Sequence, residues 1–552
     1  MATTRSMKTT ATTKKTTKTD KDASNLAEEK KTGHGDDHNK TNGVAKAPID
    51  EPSEEEEAMT MSHYISVFHI LLMNGFLCHN RQYWRSDPVV SIVLLILYVT
   101  CGTFIPLLWP KTRSTTSTAT IAGAPPPLPI VTCVRNVLFL LHCVWLIKLS
   151  LAGQPSGANH KNMLCMVSLI LLPAQVRQCY HDFYGGSAAR QMQVMADSLN
   201  LVRWAVFIMY FMAGFHKIND DFLFEPTVSC AFDKIYYYIE LFGYEDLNDL
   251  PWWFKQLPWT VLFVEIVPAL TLLVPKWQWQ IPSVANFILL HLILLPMGFA
   301  DFGSIAQSFL LLFVSPTAVA NSGLTLNFFL SMVSMFIIFQ TCTLVHWYLW
   351  QEDEVVPFEE GEMGLVLMAY GLMWGSLLPA APKANEGVPV WRPKTAFGWV
   401  PLVFFLWWAM NPYLGLRTAG NLTMFSNLTT EGKTSNHLLL RNNPLKIFGY
   451  QDDQVEIVEL EEPLGRKVKE GAILTRINFD VALQSNVENY LPEELKGTPI
   501  TIRYKGETLE TEDLFNDPAF AQFLEPRAWW EKKFFNMRPI HNYDDGPKEC
   551  SW

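Results

Sequence analysis

Ionisable residues lie inside or beside long apolar runs of this chain, where a charge is costly. They are His160, Arg203, Lys217, Glu265 and His291. Charged groups at membrane depth usually face a cavity or a partner, so each of these residues is a candidate site residue. The chemistry that such side chains perform is general acid and base catalysis.

Arg203, Tyr210 and Lys217 follow one another at intervals of seven residues. Seven residues make about two helical turns, so a continuous helix would project all three from nearly the same face. Residues 209–215 are otherwise mostly apolar. Desolvation disfavours an ammonium and brings an amine toward neutrality, which suits a general base. The pattern predicts Lys217 as that base, with Gly214 leaving room for a ligand beside it.

Structural roles are equally compatible with these residue types. Lys217 could end a helix and pair with Asp220 or Asp221 at a membrane interface. His160 could be a polar residue at a helix start, and His291 a core histidine bonded to a backbone carbonyl. The residue pattern leaves both readings open.

Glu265 is the hardest of the candidates to explain as a structural residue. It lies in the middle of an apolar run, one turn before Pro268. A carboxylate in lipid must be protonated or paired, and Arg203 is one candidate partner. We therefore expect Glu265 to belong to a polar site.

Successive apolar runs must position these residues, and a bilayer crossing takes about 20 residues. We expect nine to eleven spans, some of them tilted or re-entrant because Pro interrupts them. The fold class predicted is a polytopic α-helical membrane protein with a C-terminal β-rich soluble domain. The candidate spans are residues 62–78, 88–109, 128–152, 163–176, 198–215, 258–274, 281–299, 305–319, 324–350, 363–378 and 399–416.

Composition divides the chain into three parts. Residues 1–60 are polar and charged and predict a disordered tail, because they offer little apolar surface to bury. Residues 61–416 form the multispan membrane domain. Residues 417–552 predict a β-rich extramembrane domain, since residues 455–460 and 500–505 approximate alternation of apolar and polar side chains, with Lys505-Gly506 as a turn.

Charge and motif content exclude several classes of function. A net charge of −11 argues against nucleic acid as a partner. The nine cysteines have no CxxC spacing, so the sequence suggests neither a disulfide framework nor a metal site. Motifs of serine hydrolases, zinc proteases and nucleotide-driven pumps are also missing from the sequence.

Two sequons bear on topology. Asn421-Leu-Thr423 and Asn427-Leu-Thr429 match the acceptor pattern for N-linked glycans. If both are used, the C-terminal domain lies in a secretory lumen. Asn421 and Asn427 are therefore our glycosylation candidates.

One segment is specific enough to suggest a family. Residues 210–222 read YFMAGFHKINDDF and are followed by Ser229-Cys230. These residues resemble the signature of the horizontally transferred transmembrane domain family, which is related to the vitamin K-dependent γ-glutamyl carboxylase. Further pieces agree in order over residues 62–450, namely Asn159-His160, His291 with residues 301–309, 411–416, 423–428 and 435–438.

The resemblance implies an enzyme and roles for its residues. Such a carboxylase oxygenates vitamin K hydroquinone, and the strongly basic product removes a γ proton from a peptide Glu before carbon dioxide adds. Lys217 stands where the family has the lysine that deprotonates the hydroquinone, and His216 replaces a neighbouring lysine. His160 corresponds to a histidine implicated in carboxylation. Arg203, Tyr210, Glu265 and His291 would shape the pocket.

The expected function is therefore that of an integral membrane protein resembling this carboxylase. The resemblance implies vitamin K hydroquinone or a related quinol as cofactor, and membrane lipids and a Glu-containing peptide or protein as partners. It also implies the endoplasmic reticulum, and the two sequons, if used, would place the C-terminal domain in its lumen. Because that domain spans only residues 417–552, a site for a propeptide could be reduced or missing. The alternatives are a non-catalytic protein that binds or transports a quinone or lipid, and a quinone oxidoreductase that carboxylates nothing.

Overall fold

The computed structural model describes residues 129–152, 159–184, 188–244, 247–294, 300–324, 356–431, 434–460, 471–489 and 499–541, apart from isolated positions, with Cys550 and part of 60–72. The predicted tail, residues 1–60, lies almost wholly outside these residues. So do the candidate spans 88–109 and 324–350 and part of 62–78. The described residues belong to one compact unit, residues 52–552.

The described chain is mostly helical. Every predicted run between residues 128 and 416 that falls on described residues contains a helix, so the prediction of helices at these places is confirmed. The longer helices are α1 (Pro129–Ala152), α2 (Asn159–Tyr184), α3 (Ala188–Phe215), α7 (Leu257–Leu272), α8 (Trp277–Leu294), α9 (Ala300–Leu311), α11 (Val356–Ala384) and α12 (Ala396–Met410). Short helices are α4 (Asp220–Phe224), α5 (Cys230–Asp233), α6 (Tyr236–Leu241) and α10 (Pro316–Asn321).

One predicted run is divided between two helices. Residues 305–319 were expected to form a single span, but α9 ends at Leu311 and α10 begins at Pro316. The Ser315 side chain accepts a hydrogen bond from the Ala318 backbone N–H at 3.1 Å. A capping serine followed by proline, which has no N–H to leave unpaired, starts a new helix here.

Among the described residues, two helical segments are long and apolar enough to cross a membrane, by length and composition. They are Lys161–His181 in α2 and Gln193–Phe215 in α3. Shorter apolar helical segments occur at Phe139–Lys148, Phe302–Leu311 and Gly398–Met410. The nine to eleven spans expected from the sequence are therefore not shown, and the coarser result is a helical fold with two candidate spans.

Helix α3 lies in the middle of the helical part and packs against α2, α7 and α12. The two helices α3 and α7 lie close together at Gly214, where an added Cβ would lie 2.6 Å from Ile266 Cγ1 and 3.3 Å from Glu265 Cβ. The expectation that Gly214 leaves room for a ligand is therefore wrong. The missing side chain instead lets α7 approach closely and brings Glu265 beside the end of α3.

The C-terminal part contains a five-stranded antiparallel sheet of order β4-β3-β1-β2-β5. The two predicted strands are confirmed as β1 and β3, and Lys505 and Gly506, with φ of 52° and 85°, turn β3 into β4. Positive φ at both central residues is the requirement of a type I′ hairpin. The strands are β1 (Gln454–Leu460), β2 (Ala472–Thr475), β3 (Ile500–Tyr504), β4 (Glu507–Thr511) and β5 (Ile540–His541).

This part is less β-rich than expected. Helix α13 (Arg476–Asn489) follows β2 directly, and α14 (Pro518–Leu524) and α15 (Trp529–Phe534) precede β5. The sheet begins only at Gln454. The described residues between 417 and 451 form neither a long helix nor a strand. Several of them bond to the helical part instead, including Met424, whose carbonyl lies beside Lys217.

A disulfide joins Cys230, at the start of α5, to Cys550 near the C-terminus. The sequence suggested no disulfide framework, and that expectation missed this bond. The two cysteines are 320 residues apart and lie in no recognisable spacing pattern. Their pairing depends on the tertiary fold, which brings the end of the chain back to the helical part.

Candidate functional site

A cavity of about 240 Å³ lies between the end of α3, helices α7 and α8, and the segment around Met424. Most of its lining residues are apolar, and only a few polar side chains are available to contact a ligand. Such a site fits a ligand with a large apolar body and a few polar atoms. The polar lining residues are Asn159, Tyr210, Lys217, Thr260, Glu265, Asn286 and His291.

Lys217 lies two residues beyond the last residue of α3, Phe215, and is 3% exposed. Its backbone N–H donates to Gly214 O at 3.0 Å, which continues the turn beyond the helix. Its Nζ donates to Ala213 O and to Met424 O, each at 3.2 Å. The helix end supplies carbonyls that suit a cation, because they have no partner within the helix.

Glu265 of α7 is the charged partner of Lys217. Nζ lies 3.0 Å from Oε1 and 2.8 Å from Oε2. The structural alternative, in which Lys217 pairs with Asp220 or Asp221, is therefore wrong, and Asp220 instead lies 3.0 Å from the guanidinium of Arg441. Glu265 brings the lysine a negative charge inside the cavity.

The surroundings of the amine are those of an ammonium. An ammonium has three protons to donate and no acceptor capacity. Two backbone carbonyls and the carboxylate of Glu265 supply three acceptors for these protons. The sequence predicted an amine kept uncharged by apolar surroundings, and this set of oxygens does not match that expectation.

Tyr210 and His291 form a second polar pair in the same cavity. The Tyr210 hydroxyl lies 2.7 Å from His291 Nε2. The tyrosine ring stacks on Phe287 at 3.8 Å between centroids, and the edge of Phe302 meets His291 at 4.9 Å. Both polar groups are thereby held by aromatic neighbours, and Tyr210 lies about two helical turns before Lys217.

Arg203 does not belong to this site. It is buried, but its Nε donates to Leu312 O at 2.7 Å, after the end of α9. Tyr210 and Lys217 share the cavity as the seven-residue spacing predicted, whereas Arg203 is not among its lining residues. Arg203 is therefore not the partner of Glu265, and its contact stabilises the packing of α9 against α3.

His216 points away from the cavity, although it is adjacent to Lys217. Its Nδ1 lies 2.9 Å from the Tyr413 hydroxyl, in a buried group that includes His437. Burial lowers the pKa of His437 below its usual value. Arg417 is fully buried over the Trp408 ring, and burial lowers the pKa of Arg417 to about 9. His216 and Lys217 are therefore consecutive in the chain, but only Lys217 lines the cavity.

His160 is the second residue of α2, and its side chain lies outside the described residues. Its neighbour Asn159 lines the cavity, and Asn159 Oδ1 accepts a hydrogen bond from the Leu422 N–H at 2.6 Å. The start of α2 therefore contributes to the cavity wall. The predicted role of His160 stays a prediction.

Sequence reasoning missed the neutral polar residues of the cavity. The search for candidate residues used the cost of burying a charge. It therefore could not find the uncharged residues Asn159, Thr260 and Asn286. Asn286 Nδ2 donates to Val264 O at 3.0 Å and thereby joins α8 to α7. Asn159 appeared in the sequence only as part of the family pattern.

The two glycosylation candidates are not accessible. Asn421 is 0% and Asn427 2% exposed. Asn421 Nδ2 donates to Trp408 O at 3.0 Å, and Asn427 Nδ2 donates to Val228 O at 2.7 Å. An N-linked glycan is attached at this nitrogen, so a glycan at either residue is incompatible with the fold. Both asparagines stay glycosylation candidates by sequence, and their burial argues against their use in the folded protein.

Comparison with known proteins adds no assignment. No family model, no curated protein and no solved structure matches this chain. Over the part of the chain that the structure describes, no group of three or more His, Cys, Asp or Glu could hold a metal ion. The functional interpretation therefore depends on the geometry of the cavity and on the resemblance seen in the sequence.

Proposed function

We propose that this chain is an integral membrane protein that binds a lipid-soluble quinol in the cavity and activates one of its hydroxyl groups. The observation that carries the proposal is that two polar pairs, Lys217 with Glu265 and Tyr210 with His291, line one mostly apolar cavity. The resemblance to vitamin K-dependent carboxylases implies the same class of ligand.

Surface composition supports the membrane part of the proposal. Large apolar side chains point outward from several helices, among them Phe263 at 64%, Leu372 at 59% and Val400 at 63% exposure. Exposed apolar surface of this extent is costly in water and favourable against lipid. The two long apolar segments in α2 and α3 agree with this placement.

The cavity fits the quinol that the resemblance implies. Its apolar walls suit a ring and a hydrocarbon tail, and its two polar pairs suit hydroxyl groups. When bound, the quinol supplies reducing equivalents for its own oxygenation. On the side of the protein, Lys217 places a positive charge beside the hydroxyl, Glu265 supplies a proton acceptor, and Tyr210 and His291 orient the ligand by hydrogen bonds.

The disulfide supports an oxidising compartment for one side of the protein. Structural disulfides persist mainly in secreted proteins and in the endoplasmic reticulum lumen. Cys230 follows the C-terminal end of α3, and Cys550 follows the sheet. We therefore propose that the C-terminal domain and this end of α3 face the lumen of the endoplasmic reticulum.

Carboxylation is the second part of the proposal. A Glu-containing peptide or protein would be the acceptor, with His160 participating, and this part rests on the sequence resemblance. The test is to supply the purified protein with reduced vitamin K, oxygen, labelled bicarbonate and a Glu peptide. Epoxide and incorporated label are expected for the natural chain and for Lys276→Met, an exposed lysine, but not for Lys217→Met.

Two alternatives predict different results in the same assay. Oxygenation of the quinol without carboxylation would give epoxide with no incorporated label. A non-catalytic quinone or lipid protein would bind the quinol and give neither product in any variant. The oxygens around Lys217 Nζ argue against a reaction in which the amine itself takes a proton.

A further inference from the structure

The cavity has a buried polar end and an exposed apolar end. Tyr210, Lys217 and His291 are all buried, so the polar end is closed from the surroundings. Leu289 and Ile293 line the same cavity, but they are 58% and 42% exposed. Residues that both line a cavity and reach the surface mark the place where the cavity opens.

The opening lies between helices α7 and α8. Leu289 and Ile293 are four residues apart on α8, so they lie on the same face of that helix. Thr260 of α7 also lines the cavity and is exposed. Because α7 and α8 are neighbours in the fold, these three residues surround a gap between the two helices. We call this gap the window.

Hydrogen bonds fix the helix that forms one side of the window. Asn286 Nδ2 of α8 donates to Val264 O of α7 at 3.0 Å. The Tyr238 hydroxyl of α6 donates to Ile293 O, near the end of α8, at 2.9 Å. The segment of α8 that carries Leu289 and Ile293 is therefore tied to neighbouring elements on both sides, and the window belongs to the fold.

The surface around the window is apolar. Phe263 and Leu270 of α7 are exposed beside it. The Thr260 hydroxyl donates to Gln256 O at 3.2 Å, so its proton is used within its own helix. A ligand in the window therefore meets mainly apolar groups, and apolar surface of this kind is favourable against lipid and costly in water.

The size of the cavity limits how much of a ligand it can enclose. Its volume is about 240 Å³. Sites that enclose a whole drug-sized ligand measure about 300–1,000 Å³. The cavity is therefore large enough for a ring, but not for a ring together with a long hydrocarbon tail. The tail of such a ligand must leave through an opening.

We propose that the window is the subsite for the hydrocarbon tail of the ligand. The aromatic head lies at the polar end, and the tail passes between α7 and α8 into the membrane, from which the ligand enters. This inference rests on the proposed function and narrows its ligand class to lipids with an aromatic polar head and a long apolar tail. Leu289 and Ile293 determine specificity for the tail and do not contact the head.

The test compares two quinols that share one ring, reduced vitamin K with its long tail and menadiol without one. Anaerobic equilibrium binding is measured for the natural chain and for Ile293→Trp in lipid nanodiscs. The larger side chain should obstruct the window and weaken the binding of reduced vitamin K about tenfold or more, since overpacking has a cost of this size. The affinity for menadiol should stay the same within error, because the polar end is unchanged.

Other outcomes separate the inference from the proposed function. Equal weakening of both quinols by Ile293→Trp, or no change in either, overturns the inference and leaves the proposed function standing. Failure of both quinols to bind the natural chain overturns both. Val400→Trp is the matched control, because it places the same ring on an exposed position of α12. It should bind both quinols as the natural chain does.

A second measurement needs no variant, which matters if Ile293→Trp fails to fold. A reduced vitamin K analogue with a diazirine midway along its tail is bound to the natural chain in nanodiscs and irradiated. Mass spectrometry should locate adducts on Thr260, Leu289 or Ile293, and excess reduced vitamin K should remove them. If the adducts that excess ligand removes all lie elsewhere in the chain, the tail does not occupy the window and the inference is overturned.

Discussion

Lys217 and Glu265 are 48 residues apart in the chain, and Nζ of the lysine lies 2.8 Å from Oε2 of the glutamate. The lysine lies just beyond the end of α3, and the glutamate lies on α7. The ion pair therefore forms only when these two helices pack against each other.

Removing one member of the pair should destabilise the fold more than removing both. Lys217→Met leaves the carboxylate without its cation, and Glu265→Met leaves the ammonium without its anion. Breaking a buried pair in this way costs about 3–5 kcal/mol, whereas an apolar replacement of both members is often nearly neutral. Thermal unfolding in detergent measures the difference. If the double variant is as unstable as the sum of the single variants, the two residues are not coupled.

Gly214→Ala should disturb the contact between α3 and α7. The new Cβ would meet Ile266 Cγ1 at 2.6 Å, so α7 must shift. Overpacking of this kind costs about 1–3 kcal/mol. Gly371→Ala is the matched control, because nothing lies within 4 Å of the Cβ it would add in α11. A lower Tm for the first variant and an equal or higher Tm for the second is the expected result, and equal behaviour would contradict the close approach.

Tyr210→Phe should weaken quinol binding as well as stability. The change leaves His291 Nε2 buried without the hydroxyl that lies 2.7 Å away. An unsatisfied buried polar group costs about 1–3 kcal/mol. Tyr236→Phe removes a hydroxyl from a tyrosine that is 41% exposed and serves as control. Quinol affinity equal in both variants would remove Tyr210 from the binding site.

The bond between Cys230 and Cys550 should resist alkylation until a reductant is added. Mass spectrometry of the non-reduced protein should find the two peptides linked. Cys550→Ser should lower the free energy of unfolding by about 2–5 kcal/mol, the usual cost of losing a native disulfide. Cys165→Ser, at a free cysteine, should leave the bond intact. Alkylation of both Cys230 and Cys550 without reductant would contradict the bond.

Asn421 and Asn427 should carry no glycan in the folded protein. Their side-chain nitrogens are occupied by backbone carbonyls of Trp408 and Val228. Mass spectrometry of the peptides that contain each sequon, on protein made in cells with a secretory pathway, measures occupancy directly. A glycopeptide at either position from folded, monodisperse protein would show that the segment around it is packed differently.

Local features of the sequence predicted local structure well. The helices were found because their apolar runs are continuous, and the turn at Lys505-Gly506 was found because glycine and alternating strands mark a hairpin. The shared placement of Tyr210 and Lys217 in the cavity followed from helical spacing alone. These are properties of neighbouring residues in one segment.

Contacts between distant segments could not be predicted in the same way. Arg203 was a reasonable partner for Glu265 by charge, but spacing along one helix does not reveal which helix packs beside it. The disulfide joins residues 320 positions apart, and the sequons gave no sign that their asparagines would be buried. Residues 417–451 were assigned to the C-terminal domain because they are more polar than the preceding runs. Their contacts with the helical part cannot be seen in the sequence.

The most direct test of the account is whether a quinol occupies the cavity. Anaerobic equilibrium binding of reduced vitamin K should saturate at one ligand per chain. Leu290→Trp, which fills the cavity from α8, should abolish this binding, whereas Leu372→Trp, at an exposed position on α11, should leave it intact. Undiminished binding to a folded Leu290→Trp protein would contradict the central claim.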